Sequence, residues 1–332
     1  MIVVKPFARV KLRHRAVHMD VAPSGLLVAV SKNGIGSVVE PNQAKPKEFD
    51  LSLHPKGIAI APSGDTLAVA KEFALSLISL PDFAEKRSFH GAFEGCLFRG
   101  ALLWTATRTS MDTAMVDVRE LNEGKVLARV EVADPFRESN LMLFRGPNEN
   151  TVALWVAAGQ DGQCLYWMEH TASTMTATRC PNLEETTPPA FDRDGRRFLV
   201  VSENDLCLHD YPGGAPRGKL VWPFDDDFPS EMISFVGEDH ALMHSGNGHL
   251  FLVDLRAMKI AEEITIEGHD LRPIRELYPN LNDNALCSDL STFMPLPDGA
   301  FVSVHHELPE KSTAHQRDEL AFWRIPHASS NA

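Results

Sequence analysis

The chain has 332 residues, 44% of them hydrophobic and 23% charged, with a formal net charge of −13. That apolar share suffices for a packed core and excludes a chain disordered throughout, while the acidity disfavours attraction to a phosphate backbone, so nucleic acid is not expected as a partner. No stretch approaches the ~18 apolar residues that a membrane helix requires, and the five cysteines include no CxxC pair, so the expectation is a cytoplasmic protein with reduced thiols and no membrane partner.

Along the chain, the first candidate element is FARVKLR (residues 7–13), a short alternating run that stands alone. At His18 a four-part unit begins: HMDVAPSG ends on Gly25, and LLVAVSK, GIGSVVE and the more polar KPKEFDL follow. The second unit runs GIAIAPSG to Gly64, then TLAVAKE, ALSLISL and AEKRSFH; the third runs FEGCLFRG to Gly100, then ALLWTAT, TAMVDVR and KVLARVEV. The fourth is SNLMLFRG to Gly146, TVALWVA, QCLYWME and TMTATRC, and the fifth PPAFDRDG to Gly195, RFLVVSE, DLCLHDY and RGKLVWP. A looser sixth copy has SEMISFVG to Gly237, HALMHSG, HLFLVDL and KIAEEITI. The seventh has TFMPLPDG to Gly299, AFVSVHH and LAFWRIP, and lacks a fourth part.

Short β-rich runs separated by Gly, Pro, Asn and Asp turns are the signal for strands in hairpins. Seven units at about 47 residues each match the length of four-stranded blades. FARVKLR resembles KVLARVEV and can supply the strand missing from the seventh unit. The expected fold is therefore all-β: a seven-bladed β-propeller with four-stranded blades, closed by residues 7–13 pairing near Leu320 to Ile325. A single propeller domain is expected over residues 1–326, with 327–332 a disordered tail.

Val116-Asp117, His209-Asp210, Val253-Asp254 and Trp323-Arg324 end third strands, and Gly268-His269 precedes the last unit. With these degenerate Trp-Asp and Gly-His positions, the chain resembles the WD-repeat-like superfamily of seven-bladed propellers, a resemblance of architecture that covers nearly its whole length. It implies binding through loops rather than a particular chemistry.

The motif glycines are spaced by 39, 36, 46, 49, 42 and 62 residues. The excess falls in the last unit, as GHDLRPIRELYPNLNDNALCSDLS and HHELPEKSTAHQRDE, and insertions of this kind carry function more often than the strands they join. The loops that lead into inner strands place large aromatics beside charges. ADPFRESN holds Phe136 and Arg137; WPFDDDFPS holds Phe224, Asp225, Asp226, Asp227 and Phe228; the last insertion adds Arg272, Arg275 and Tyr278. Aromatic and Arg residues with a polar rim are the composition of protein interfaces, so these ten residues are the expected partner-binding set, and the acidity suits a basic protein partner.

The alternative function is catalytic. Residues just before the repeat motif should ring one mouth of the channel, and they include His18, Lys56, Glu94, Glu138, Asn140, Glu185, Glu231 and Asp289. Glu94, Asn140, Glu231 and Asp289 could hold a hard divalent cation such as calcium, an arrangement similar to that of propeller lactonases, which are metal-dependent hydrolases. A third class is small-molecule sensing in the channel. His305, His306, Glu307 and His315 do not form HExxH and read as a solvated loop, and the five tryptophans read as strand positions in the core. The leading expectation is a non-catalytic interaction module (scaffold, assembly factor or inhibitor) without a cofactor.

Overall fold

In a computed structural model the chain is described at all residues except 41–42, 44, 52–53, 122, 138, 159–161, 185, 270–292, 308–316 and 327–332. Each blade starts from the turn that ends the repeat motif. The Ala22 amide donates to Leu26 O and the Gly25 amide to Ala22 O, at 2.8 and 2.9 Å, which folds the chain back on itself with Gly25 at a φ of 86°. A side chain rarely tolerates that left-handed backbone, and six of the seven motif glycines adopt it, which is why the motif is visible as a glycine repeat.

Two strands precede the blades, β1 (Ile2–Val4) and β2 (Ala8–Lys11). Blade 1 holds β3 (His18–Val21), β4 (Leu27–Val30), β5 (Ile35–Val39) and β6 (Lys47–Asp50). Blade 2 holds β7 (Gly57–Ile60), β8 (Thr66–Ala70), β9 (Ala74–Ser79) and β10 (Glu85–His90). Blade 3 holds β11 (Phe93–Arg99), β12 (Leu102–Ser110), β13 (Thr113–Glu120) and β14 (Val126–Ala133). Blade 4 holds β15 (Asn140–Arg145), β16 (Thr151–Ala157), β17 (Gln163–Thr171) and β18 (Thr174–Glu184). Blade 5 holds β19 (Ala190–Phe191), β20 (Arg197–Ser202), β21 (Asp205–Asp210) and β22 (Pro216–Leu220). Blade 6 holds β23 (Pro229–Val236), β24 (His240–Ser245), β25 (Leu250–Asp254) and β26 (Lys259–Ile266), and blade 7 holds β27 (Phe293–Pro295), β28 (Phe301–Glu307) and β29 (Arg317–Trp323). Within each blade these strands pair antiparallel and in chain order, and among the described residues no helix is long and apolar enough to cross a membrane.

Second strands are flanked by blades on both faces, so alternation gives way to continuous burial: every residue of β4, β8 and β16 is buried. The outermost strand of blade 2, β10, is almost wholly exposed. Among the described residues the core consists of seven apolar clusters, one at each interface between neighbouring blades, including blade 7 against blade 1. At that last interface Val10 and Leu12 pack with Leu27, Val302, Leu320 and Phe322.

The ring closes as the sequence indicated. β2 pairs antiparallel with β29, Ala8 opposite Phe322 and Lys11 opposite Glu319, and the Phe7 and Leu12 amides extend the ladder by donating to Phe322 O and Asp318 O at 2.8 Å each. One strand was not anticipated: β1 adds in parallel to β26, so blade 6 has five strands and the first eleven residues straddle two blades. In blade 7 the Gly268-His269 pair is structural, with His269 Nδ1 lying 3.0 Å from Ser303 Oγ and Trp323 Nε1 donating to the same oxygen at 3.2 Å.

The channel is bridged. Arg145, at the end of the inner strand of blade 4, reaches past blades 2 and 3 to Asp20 on the inner strand of blade 1, donating to Asp20 Oδ1 at 2.8 Å and Val21 O at 3.1 Å. The other Asp20 oxygen accepts from the Ile60 amide of blade 2 at 2.8 Å. Burial raises the Asp20 carboxyl above its ordinary value, with Arg145 opposing the shift.

Candidate functional site

Among the described residues, the connections into inner strands lie on one face of the disc, as do the turns between second and third strands. That topology places the two described candidate loops on one side. Phe136 and Arg137 lie in the connection from blade 3 to blade 4, and residues 224–228 in that from blade 5 to blade 6, two connections further round the ring. Arg272, Arg275 and Tyr278 fall in 270–292, outside the described residues.

Asp134 builds the first of these connections. Its buried carboxylate accepts from Arg108 Nη1 at 2.8 Å, from the Ser139 amide at 2.9 Å and hydroxyl at 2.6 Å, and from the Phe136 amide at 3.2 Å. Burial alone would raise its pKa, but these donors together hold it below the ordinary value. The loop they shape tucks Phe136 over Gly162, where a Cβ would fall 2.5 Å from the ring. Phe136 is therefore half-buried against the turn between β16 and β17 and the core cluster between blades 3 and 4, while Arg137 is exposed at a φ of 61°.

The second connection forms a concave site. β22 ends at Leu220, before Pro223, so Trp222 leaves the sheet instead of continuing it as the alternation of RGKLVWP suggested. The Trp222 amide donates to Asp205 Oδ1 at 3.0 Å and its indole N–H to Asp227 O at 3.1 Å. Asp205 is also paired with Lys219 at 2.6 Å. Asp227 Oδ1 accepts from the Phe228 amide at 2.8 Å and from the Asn247 amide of the neighbouring blade 6 turn at 3.0 Å. Gly246 donates its amide to Phe228 O at 2.7 Å and lies against the Phe228 ring, which is 2.2 Å from where a Cβ would stand.

The result is a pocket of about 440 Å3 lined by Asn204 and Asp205 from blade 5 and by Trp222, Phe224 and Asp225 to Phe228 from the connection. Phe224 stacks on Phe251 at 5.3 Å and meets Trp222 edge-on at 5.3 Å, yet remains 41% exposed; Phe228 is 44% exposed. Asp225 and Asp226 are exposed, and among the described residues their carboxylates have no hydrogen-bond or ion-pair partner. Residues 224–228 of the expected set line this pocket together with Trp222, Asn204 and Asp205, which the sequence did not single out, and Phe251 backs Phe224. Pro223 was the available signal for Trp222, because proline cannot donate to a sheet ladder.

The channel mouth differs from a free ring of ligands. Lys56 Nζ lies 2.9 and 3.0 Å from the two oxygens of Glu94, and His18 Nε2 lies 3.0 Å from Pro55 O, with burial lowering the pKa of that imidazole. Asn140 is exposed at the start of β15. Glu138, Glu185 and Asp289 lie outside the described residues, and the structure describes only the backbone of Glu231. Among the described residues no three His, Cys, Asp or Glu side chains come together in a way that could hold a metal. His305 is described, with its ring 4.9 Å from that of His269, whereas His315 is not.

No family model matches the chain, and no curated protein matches it. Among solved structures it is similar to the β-propeller domain of Cps50 (Swd1) from Myceliophteria thermophila, with a TM-score of 0.65 at 10% sequence identity over 97% of this chain and 100% of that one. At that identity what the two share is the fold, a β-propeller.

Proposed function

We propose that this propeller is a non-catalytic protein-interaction module, acting as a scaffold, an assembly factor or an inhibitor of a basic protein partner, and that it binds through the face carrying the connections between blades. One observation carries the reading: the pocket between blades 5 and 6 presents two half-exposed aromatic rings beside two carboxylates that, among the described residues, no side chain neutralises. Aromatic anchors inside a charged rim are the arrangement in which a few residues dominate binding. A net charge of −13 favours a basic partner by steering its approach.

The test is purification of the protein with its partner from host cells, followed by binding of the identified partner to variants. Phe224→Ala and Phe228→Ala are expected to weaken binding by tenfold or more, about 1.4 kcal/mol or above. Neutralising Asp225 and Asp226 is expected to slow association and flatten its salt dependence. If both aromatic variants bind normally and only melt earlier, the rings are loop packing and the reading fails.

A further inference from the structure

We propose that the pocket between blades 5 and 6 is a guanidinium site that takes a single arginine side chain of the partner. The inference rests on the interaction-module reading and adds to it the chemistry of the group recognised. The polar atoms divide into two sets. Asp205 is occupied by Lys219 and the Trp222 amide, and Asp227 by the Phe228 and Asn247 amides, so these two carboxylates build the pocket. Asp226 joins that framework only through its backbone carbonyl, which accepts from Asn247 Nδ2 at 2.8 Å, and among the described residues the carboxylates of Asp225 and Asp226 have no partner and border the cavity with their charge unspent.

The apolar wall is built with equal economy. Phe224 stacks on Phe251 and meets Trp222 in a T-shaped contact, which fixes the ring while leaving it 41% exposed. Phe228 is held over Gly246, where any side chain would collide with the ring. Two immobilised rings beside two unpaired carboxylates suit a group that is flat, cationic and able to donate several hydrogen bonds at once. Guanidinium stacks on an aromatic face while donating in its plane to carboxylates, whereas ammonium is a compact, strongly hydrated point charge. A cavity of about 440 Å3 admits such a side chain with its flanking backbone.

The probes are three acetylated, amidated heptapeptides with Gly and Ser flanks and a central arginine, lysine or citrulline, the last being a neutral near-isostere of arginine. Binding to the full chain is followed by ligand-observed NMR up to about 10 mM, since one side chain supports affinity only in the millimolar range. The arginine peptide is expected to bind about tenfold more tightly than the citrulline peptide and at least threefold more tightly than the lysine peptide. The double variant Asp225→Asn, Asp226→Asn is expected to lose about tenfold for the arginine peptide with an unchanged melting temperature, and Phe224→Leu about fivefold. Equal binding of arginine and citrulline overturns the proposal, as does indifference to the double variant; equal binding of lysine overturns the guanidinium assignment. If the arginine peptide does not bind while an isolated partner still depends on Phe224 and Phe228, the guanidinium site falls and the interaction module stands. If the peptide binds as expected and no protein partner responds to these variants, the guanidinium site stands and the module reading falls.

Discussion

Asp134 and Asp227 do the same job in two connections, each turning a carboxylate inward to gather the backbone amides of a loop that would otherwise have no partners. Asp134 is the more deeply committed, since its side chain is fully buried and it carries the charge that faces Arg108. Asp134→Asn keeps the shape and loses the charge, and it is expected to cost about 2–4 kcal/mol in urea unfolding at pH 7. The pH dependence follows from the lowered pKa. A carboxylate held below its unfolded value contributes stability above that value, near 3.8, and loses the contribution as pH falls through the folded value. The gap between wild type and Asp134→Asn should therefore close on acidification, and a gap that stays constant to pH 3 would show that the charge is not the source. Nothing in the string ADPFRESN distinguishes this aspartate from its solvated neighbours. Side-chain roles of this kind were not legible in the sequence, because they depend on partners such as Arg108 that are distant along the chain.

At the level of strands the sequence was far more informative, since hairpin turns and burial are local. The left-handed turn at Gly25 and the continuous apolar run of β8 each follow from residues a few positions apart. The same locality explains the two errors. Trp222 kept the alternation of a strand although Pro223 had ended the ladder, and the parallel docking of β1 on β26 leaves no periodic mark in three residues. The two N-terminal strands can be separated by truncation. Removing residues 1–5 deletes β1 and the burial of Val4, with an expected cost of about 3 kcal/mol and a monomer in size-exclusion chromatography. Removing residues 1–13 also bares the edge of β29 and takes Val10 and Leu12 out of the interface of blades 7 and 1, so aggregation or a large fall in melting temperature is expected. Two truncations of equal effect would mean that β1, and not β2, holds the ring.

For the whole molecule, the bridge from Arg145 to Asp20 ties together inner strands that share no sheet and no blade interface. Arg145→Met leaves Asp20 buried with the Ile60 and Val21 backbone amides as its donors; the expected cost is about 2 kcal/mol, below that of a fully buried pair because the arginine is partly exposed. Burial already raises the Asp20 pKa, and losing Arg145 raises it further, so the penalty belongs to the ionised form. It should be present at pH 7 and shrink as pH falls through the folded value, and adding Asp20→Asn should restore most of the stability. An Arg145→Met protein as stable as wild type at pH 7 would show that the bridge contributes nothing. The ring closure carries a consequence for synthesis. Arg9 of β2 and Glu319 of β29, paired at 2.5 Å, are 310 residues apart, and translation at about 5–20 residues per second separates their emergence from the ribosome by tens of seconds. Throughout that interval the strand bearing Val10 and Leu12 has no edge to join, so six blades can form in turn while the first-made segment waits for the last.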